Sequence, residues 1–353
     1  VNVSAIRSAR LLAAGVVVLL LAGCNPFSDA RPMMDEYVER VGRVLDAEPE
    51  LSEIPAAGQM PRRRNRVLPM PELELGMLDF LSLYGCELQY VVGEKNSVMG
   101  KVMQPLNRLR YEVRFIRTAG DCLETTEDEE LRNVLKQAIA SKRETLPIAV
   151  WNATWGVEEV ETLFTLAKGE YPVEAKDLLS DLARDAGQLN KTVGMLLEQN
   201  LEVDLGFWGE VHQRWQAEYR AGQLINSARL VTVRLGDATR VMRQRLDSRP
   251  LCLNGKPNNQ SDIVQGMFFS VYIGKIQPYL ADLRRARTDL IEPLSELAAI
   301  QADVMPEHFQ KWYHFALALE GRESVWANLD AAVKSHTKGW QALLEQCGLR
   351  PGA

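Results

Sequence analysis

The sequence predicts an all-α fold: a helical bundle with a long antiparallel, heptad-patterned helical hairpin. Three observations predict it. Ala175, Leu179, Leu182, Ala186, Leu189, Val193 and Leu196 step alternately by four and three residues. Leu224, Ala228, Val231, Leu235, Ala238 and Met242 do the same. A 4–3 alternation lays one apolar stripe along a helix, and such a stripe needs a helical partner. The third observation is charge. Eight acidic and three basic residues lie from Glu170 to Asp204, against three acidic residues and eight arginines from Arg214 to Arg249. Antiparallel pairing sets an acidic helix against a basic one, with Glu202–Gly209 as the reversal and Pro172 in the first turn of the first helix. On this reading the arginines select a partner helix rather than a nucleic-acid or lipid surface.

At the N-terminus, Arg7 and Arg10 precede an unbroken apolar run, Leu11 to Ala22, with no acidic residue before Asp29. The run has the length of a signal-peptide core and is too short for a membrane span. It ends in Leu19–Leu20–Leu21–Ala22–Gly23–Cys24, which resembles a bacterial lipobox. Residues 1–23 are therefore expected to be a lipoprotein signal peptide, Cys24 the lipidated residue, and 24–32 a tether. Val1 reads as an initiator from an alternative start codon. Several acyl chains, palmitate among them, anchor a protein stably where one does not. Asn25, in place of the aspartate that marks inner-membrane retention in such proteins, favours an outer-membrane anchor facing the periplasm. The blander alternative is an ordinary signal peptide with an incidental cysteine.

Residues 33–353 read as one all-α periplasmic domain. Met33, Tyr37, Val41 and Leu45 recur every four residues, so Met33 to Ala47 is an amphipathic helix. Residues 46–71 carry prolines at 49, 55, 61, 69 and 71 and are expected to form an extended strap. The strap bears Arg62, Arg63, Arg64 and Arg66. These are read either as a solvated run lying over acidic helices or as a contact for anionic headgroups or cell-wall polymer. Glu72 to Val92 is an apolar helix, interrupted by the polar break Gly93–Glu94–Lys95–Asn96–Ser97, with Ser97 placed to cap the next helix. That helix ends at Thr118–Ala119–Gly120, before Cys122. Asp128 to Lys142 is a short helix, and Trp151 and Trp155 share a helical face beyond it. Arg249 to Asp262 is a turn-rich loop. Ile263 to Tyr279 is β-branched and aromatic but has no partner strand, so it reads as a buried helix. Pro278 and Pro293 are expected to kink or divide the chain beyond it. Pro306 opens a helix through Phe309, Trp312 and Tyr313. The final helix runs from Val325 to Cys347 and stops at Gly348 and Pro351.

Composition narrows the function. The chain has 353 residues, 46% hydrophobic, with a net charge of −6, so it has enough chain for a real core and is a poor general nucleic-acid binder. Apart from Cys24 there are four cysteines, Cys86, Cys122, Cys252 and Cys347. An even number in an oxidising compartment points to two disulfides. Three connectivities are open. Cys86–Cys122 with Cys252–Cys347 is favoured because the first pair would clip one local unit; four free buried thiols are the alternative. No paired histidine or CxxC spacing suggests a metal, and no cofactor pattern is present. His308 and His314 are six apart, on different helical faces, and His336 falls on the apolar face of the last helix as a core histidine. No GxSxG, HExxH, GxGxxG or phosphate-cradling loop occurs. Glu94, Lys95, Asn96 and Ser97 are left as a possible polar site, or simply a capping turn.

Several stretches carry a family resemblance: Cys86–Glu87–Leu88–Gln89, Gly93–Glu94–Lys95–Asn96–Ser97, Gly100–Lys101–Val102–Met103, Leu109–Arg110–Tyr111–Glu112, Gly274–Lys275–Ile276–Gln277–Pro278–Tyr279–Leu280 and Trp340 to Gly348. Together they resemble a family of uncharacterised gammaproteobacterial lipoproteins, the DUF3080-like proteins. The resemblance implies no activity, substrate, cofactor or catalytic residue. The expectation is a lipid-anchored, non-enzymatic protein that binds an envelope protein or cell-wall partner. The rival is an envelope enzyme or ligand carrier acting on cell wall or lipid.

Overall fold

The structure, a computed structural model, describes residues 29–71, 83, 85–96, 102–175 and 178–349, and every regular element among them is helical. The expected signal peptide, Cys24 and most of the tether lie outside the described residues, as does most of the apolar stretch before Leu83.

Helix α1 (Ala30–Leu45) buries Met33, Tyr37, Val41 and Leu45, the face its four-residue spacing marks. Asp46 ends it in the left-handed conformation, φ 54°, with its N–H returning to the carbonyls of Gly42 and Arg43. The strap that comes next is extended apart from a turn at Arg63–Asn65. Extended backbone must find hydrogen-bond partners outside itself. Ser52 N–H donates to Asp237 Oδ2 at 3.0 Å, and Arg234 and Arg229 donate to the carbonyls of Ser52 and Pro55. Solvated arginines over acidic helices describe this strap only in part. Arg66 is fully buried, donates to the carbonyls of Pro61, Trp155 and Val157, and pairs with Glu161.

Three helices form a small unit: α2 (Leu88–Asn96), α3 (Pro105–Thr125) and α4 (Glu129–Thr154). The expected break at Gly93 is not one, because α2 continues to Asn96. Nor does α3 stop before Cys122; it carries that cysteine inside its last turns. Helix interiors tolerate a glycine such as Gly120 at a cost of only about 1 kcal/mol. Asp128 caps α4 by accepting from the N–H groups of Glu130 and Leu131, and α4 then runs through Pro147 as one helix rather than two.

After the short α5 (Glu159–Leu163) come α6 (Ser180–Leu197), α7 (Trp208–Ala217) and α8 (Arg220–Ser248). Here the structure corrects the hairpin. Both stripes are buried; Leu189 is 1% exposed and Leu235 0%. They do not face each other. α8 packs mainly against α1 and α13 (Val325–Glu345), whereas α6 packs on α4 and α11 (Glu292–Ala299). A 4–3 stripe dictates that a face be covered; it does not name the cover. The α13 contact is close because Gly339 sits where a Cβ would meet Met242 Sδ at 2.9 Å. Helix α6 also starts later than Pro172, since Glu174 takes φ 60° and breaks the first turn.

The segment from Asn259 to Ala299 is a nearly continuous helix: α9 (Asn259–Met267), a π-helical stretch (Phe268–Ile276), α10 (Gln277–Ala286), a second π stretch (Arg287–Ile291), and α11. Asn258 and Ser261 form a capping box at its start. Each π stretch lies immediately before a proline at the second position of the next helix, Pro278 or Pro293. A proline lacks the N–H and its ring collides with the carbonyl four residues back; widening the preceding turn lets the helix continue. Helix α12 (Glu307–Ala316) then leads to α13, capped by Ser324, which accepts from the N–H groups of Trp326 and Ala327. Gly348, at φ 66°, lies just past its end.

Two apolar cores result among the described residues. The main one is organised by α8 and includes Trp151, Trp155, Trp208, Trp215, Trp326 and Trp340. The smaller one gathers Leu88, Val91, Phe115, Cys122, Leu131 and Leu135 from α2, α3 and α4.

Candidate functional site

Among the four residues of the polar run, Ser97 lies outside the described residues and Asn96 is the last residue of α2. Glu94 and Glu87 both pair with Arg114 of α3, each at 3.1 Å, and all three side chains are well exposed. The two carboxylates raise the Arg114 pKa, the Glu87 hydrogen bond most. These contacts hold α2 against α3, and exposed pairs of this kind contribute only about 0–1 kcal/mol each. The cysteines come together as Cys86 with Cys122 and Cys252 with Cys347, at disulfide distance, with Cα–Cα separations of 5.9 and 5.1 Å.

The more unusual chemistry was invisible in sequence. Glu112 of α3 is fully buried and meets two cations. Lys142 Nζ donates to Oε1 at 3.1 Å and lies 2.8 Å from Oε2, close enough for charge pairing though not aligned as a hydrogen bond. Arg108 Nε donates to the same Oε1. Burial lowers the Lys142 pKa, opposed by the Glu112 charge beside it. The Lys142 ammonium also stands 5.3 and 5.4 Å from the ring centres of Tyr111 and Phe115, a cation–π setting. Glu112 and Lys142 are thirty residues apart on separate helices, so neither periodicity nor motif links them. Asp185 and Asp237 are equally buried. Asp185 takes a two-pronged contact from Arg214 at 2.5 and 2.7 Å. Asp237 accepts from Ser52, Arg234 and Arg240. The acidic α6 thus meets an arginine of α7, and the arginines of α8 turn to the strap, to α1, to their own helix, and, through Arg243 and Arg245, to Ser335 and Gln260.

His336 is fully buried, as its place on an apolar face foretold. Its Nε2 lies 2.6 Å from Tyr37 Oη and its Nδ1 3.1 Å from Thr239 Oγ1. Thr239 donates its hydroxyl hydrogen to Leu235 O at 2.6 Å, so Thr239 Oγ1 must accept from Nδ1–H. Nε2 is then the acceptor, taking the Tyr37 hydrogen, while Tyr37 accepts from Trp340 Nε1 at 2.9 Å. The chain is directional and uses a neutral imidazole. Burial pushes the His336 pKa down to about 3, with a backbone contact at Leu235 opposing, and burial drives the Tyr37 pKa well above its usual range. The knot ties α1, α8 and α13 together. His212 is likewise buried, donates Nε2–H to Ala153 O at 3.0 Å, and has a pKa lowered mainly by burial.

Beside this knot, α10 and α13 enclose an open groove of about 530 Å³. Leu280, Leu283, Leu329 and Val333 line it, with Tyr272 at one end and the Arg287–Asp330 pair, 3.0 Å, at the other. Sequence could have flagged the apolar faces, but not that these two helices would leave a gap between them.

The fold and its chemistry define an all-α protein whose buried charges and histidines serve its own packing, with an apolar groove at the surface. The chain belongs to the DUF3080 family, described as proteins of unknown function, with residues 34–351 matching, nearly the whole chain. No curated protein and no solved structure matches it.

Proposed function

We propose that this protein is a lipid-anchored envelope protein, held in the outer membrane through Cys24 and facing the periplasm, that works by non-covalent binding of a partner rather than by catalysis. The observation that carries the binding part is the engagement of its buried ionisable groups. Asp185, Asp237 and His336 each have hydrogen-bond partners within the fold on both polar atoms, and Glu112 is fully buried between the cations of Arg108 and Lys142. A carboxylate or imidazole so engaged is a poor general base, since it must be free to reach a substrate proton. The lipobox-like Leu19–Cys24 and the basic, apolar leader before it support the anchor. Cysteine pairs at disulfide distance fit an oxidising compartment.

Changing Cys24 to Ser is expected to abolish lipid attachment, seen as the loss of acyl mass, and to move the chain out of the membrane fraction. A wild-type chain without lipid, or a variant that still fractionates with membranes, ends the anchor reading. Crosslinking in living cells, followed by identification of the captured species, addresses binding. A defined envelope protein or cell-wall fragment is the expected product. Turnover of cell-wall or lipid substrates by the purified chain would replace this reading with an enzymatic one.

A further inference from the structure

We propose that the α10–α13 groove is a binding site for a long-chain fatty acid, its acyl chain on the leucine floor and its carboxylate at the arginine end. The proposal goes beyond the partner-binding reading and does not depend on the Cys24 anchor. Volume, length and charge lead to it. The groove holds about 530 Å³, within the roughly 300–1,000 Å³ of small-ligand sites. From Tyr272 to Arg287 the helical rise is roughly 20 Å, and an acyl chain fills half a hydrocarbon layer of about 30 Å, or some 15 Å. One chain therefore fits along the groove.

Charge then selects the headgroup. The whole chain has a net charge of −6, yet this face is basic. Arg284 lines the groove and is exposed, and it makes no ion pair among the described residues. Lys334 and Lys338 are exposed, directly follow the lining residues Val333 and Thr337, and are also without ion pairs among the described residues. Arg287 closes this end of the groove. Its Nη1 binds Asp330, and Glu292 Oε1 stands 3.6 Å from its buried Nε. Arg287 is thus held by Asp330 and Glu292, which leaves the unpaired guanidinium of Arg284 to take a carboxylate at this end of the groove. The apolar floor at the other end, against the ring of Tyr272, excludes a purely polar anion such as free phosphate as the best ligand.

The test uses the full chain in lipid nanodiscs with a diazirine-bearing stearic acid, irradiated and mapped by peptide mass spectrometry. Label is expected on the peptides spanning 277–287 and 329–337, displaced by unlabelled palmitate and much less by hexadecanol. Ala281→Trp, which puts a large ring at an exposed lining position, is expected to remove most of that label. Arg284→Gln should weaken it about fivefold, the equivalent of one charge-assisted contact of roughly 1 kcal/mol. A thermal melt matching wild type shows that each variant is folded, and Thr337→Trp blocks the groove from the opposite helix if Ala281→Trp is not. Label scattered over the surface, label unchanged by the folded blocking variant, or equal displacement by hexadecanol overturns the proposal.

Discussion

The surroundings of the two cysteine pairs differ sharply. Cys86 and Cys122 sit in the smaller core, where α2, α3 and α4 share a handful of aliphatic side chains and Phe115. Their sequence separation is 36, and the loop they close is local. Cys252 and Cys347 join the loop after α8 to the end of α13 across a separation of 95, beside a core with six fully buried tryptophans. In the main core, packing carries most of the stability and the covalent link adds to it. In the smaller unit there is less apolar area to bury, so the link matters proportionally more. The Glu112–Lys142 pair stands between α3 and α4, where the two regions are tied to the same helices.

The largest effect is expected in the main core. Leu235→Ala should cost about 2–5 kcal/mol, and Leu235→Asp more, because it would leave an unpaired charge among apolar side chains. A melt of Leu235→Asp equal to wild type would mean that α8 is not the organising helix. Leu189→Ala tests the α6 stripe in the same way, and its effect should add to that of Leu235→Ala, since the two lie on different interfaces. Strong coupling between them would restore the hairpin that the structure rejects.

Next comes the junction. Lys142→Met leaves Glu112 buried with fewer partners and is expected to cost about 3–5 kcal/mol. Adding Glu112→Leu should recover much of that loss, because an apolar pair needs no desolvated charge. A denaturant titration of both variants decides it; a double variant no better than Lys142→Met would show that the pair contributes net stability.

The disulfide-distance pairs compare the two regions directly. Non-reducing peptide mapping should recover Cys86 with Cys122 and Cys252 with Cys347. Removing a native link typically costs about 2–5 kcal/mol. For Cys86→Ser, hydrogen exchange should rise across α2 and the end of α3 while α8 and α13 stay protected. For Cys252→Ser, the global melting temperature should fall. Uniform loss of protection in Cys86→Ser would erase the distinction between the regions.

The last comparison is a pH slope. His336 is held neutral with a pKa of about 3, against about 6.5 unfolded. The unfolded chain therefore binds the extra proton between those values. This contribution is fully present above roughly pH 6.5 and is lost as pH falls toward 3, by up to about 1.4 kcal/mol per unit. In His336→Gln the slope between pH 6 and 4, read from melts across that range, should flatten relative to wild type.

The sequence by itself determined that the chain is helical, which faces are buried, that helices start at Asp128 and Val325, and which family the chain belongs to. Those properties are local: a period of 3.6, a capping side chain, a run of residues. It also favoured the cysteine pairs that the structure sets side by side, because one of them is short-range. Tertiary structure alone decided which stripe covers which. Leu189 and Leu235 advertise the same need, and only the placement of α1, α11 and α13 says how each need is met. Charge was the least legible. Arg66 and Arg64 look alike in a proline-rich strap, yet Arg66 is buried among carbonyls and Arg64 is exposed. Glu112 and Lys142 look like ordinary surface residues of two helices. Burial depends on neighbours distant in sequence, and a buried charge becomes visible only when those neighbours are in place.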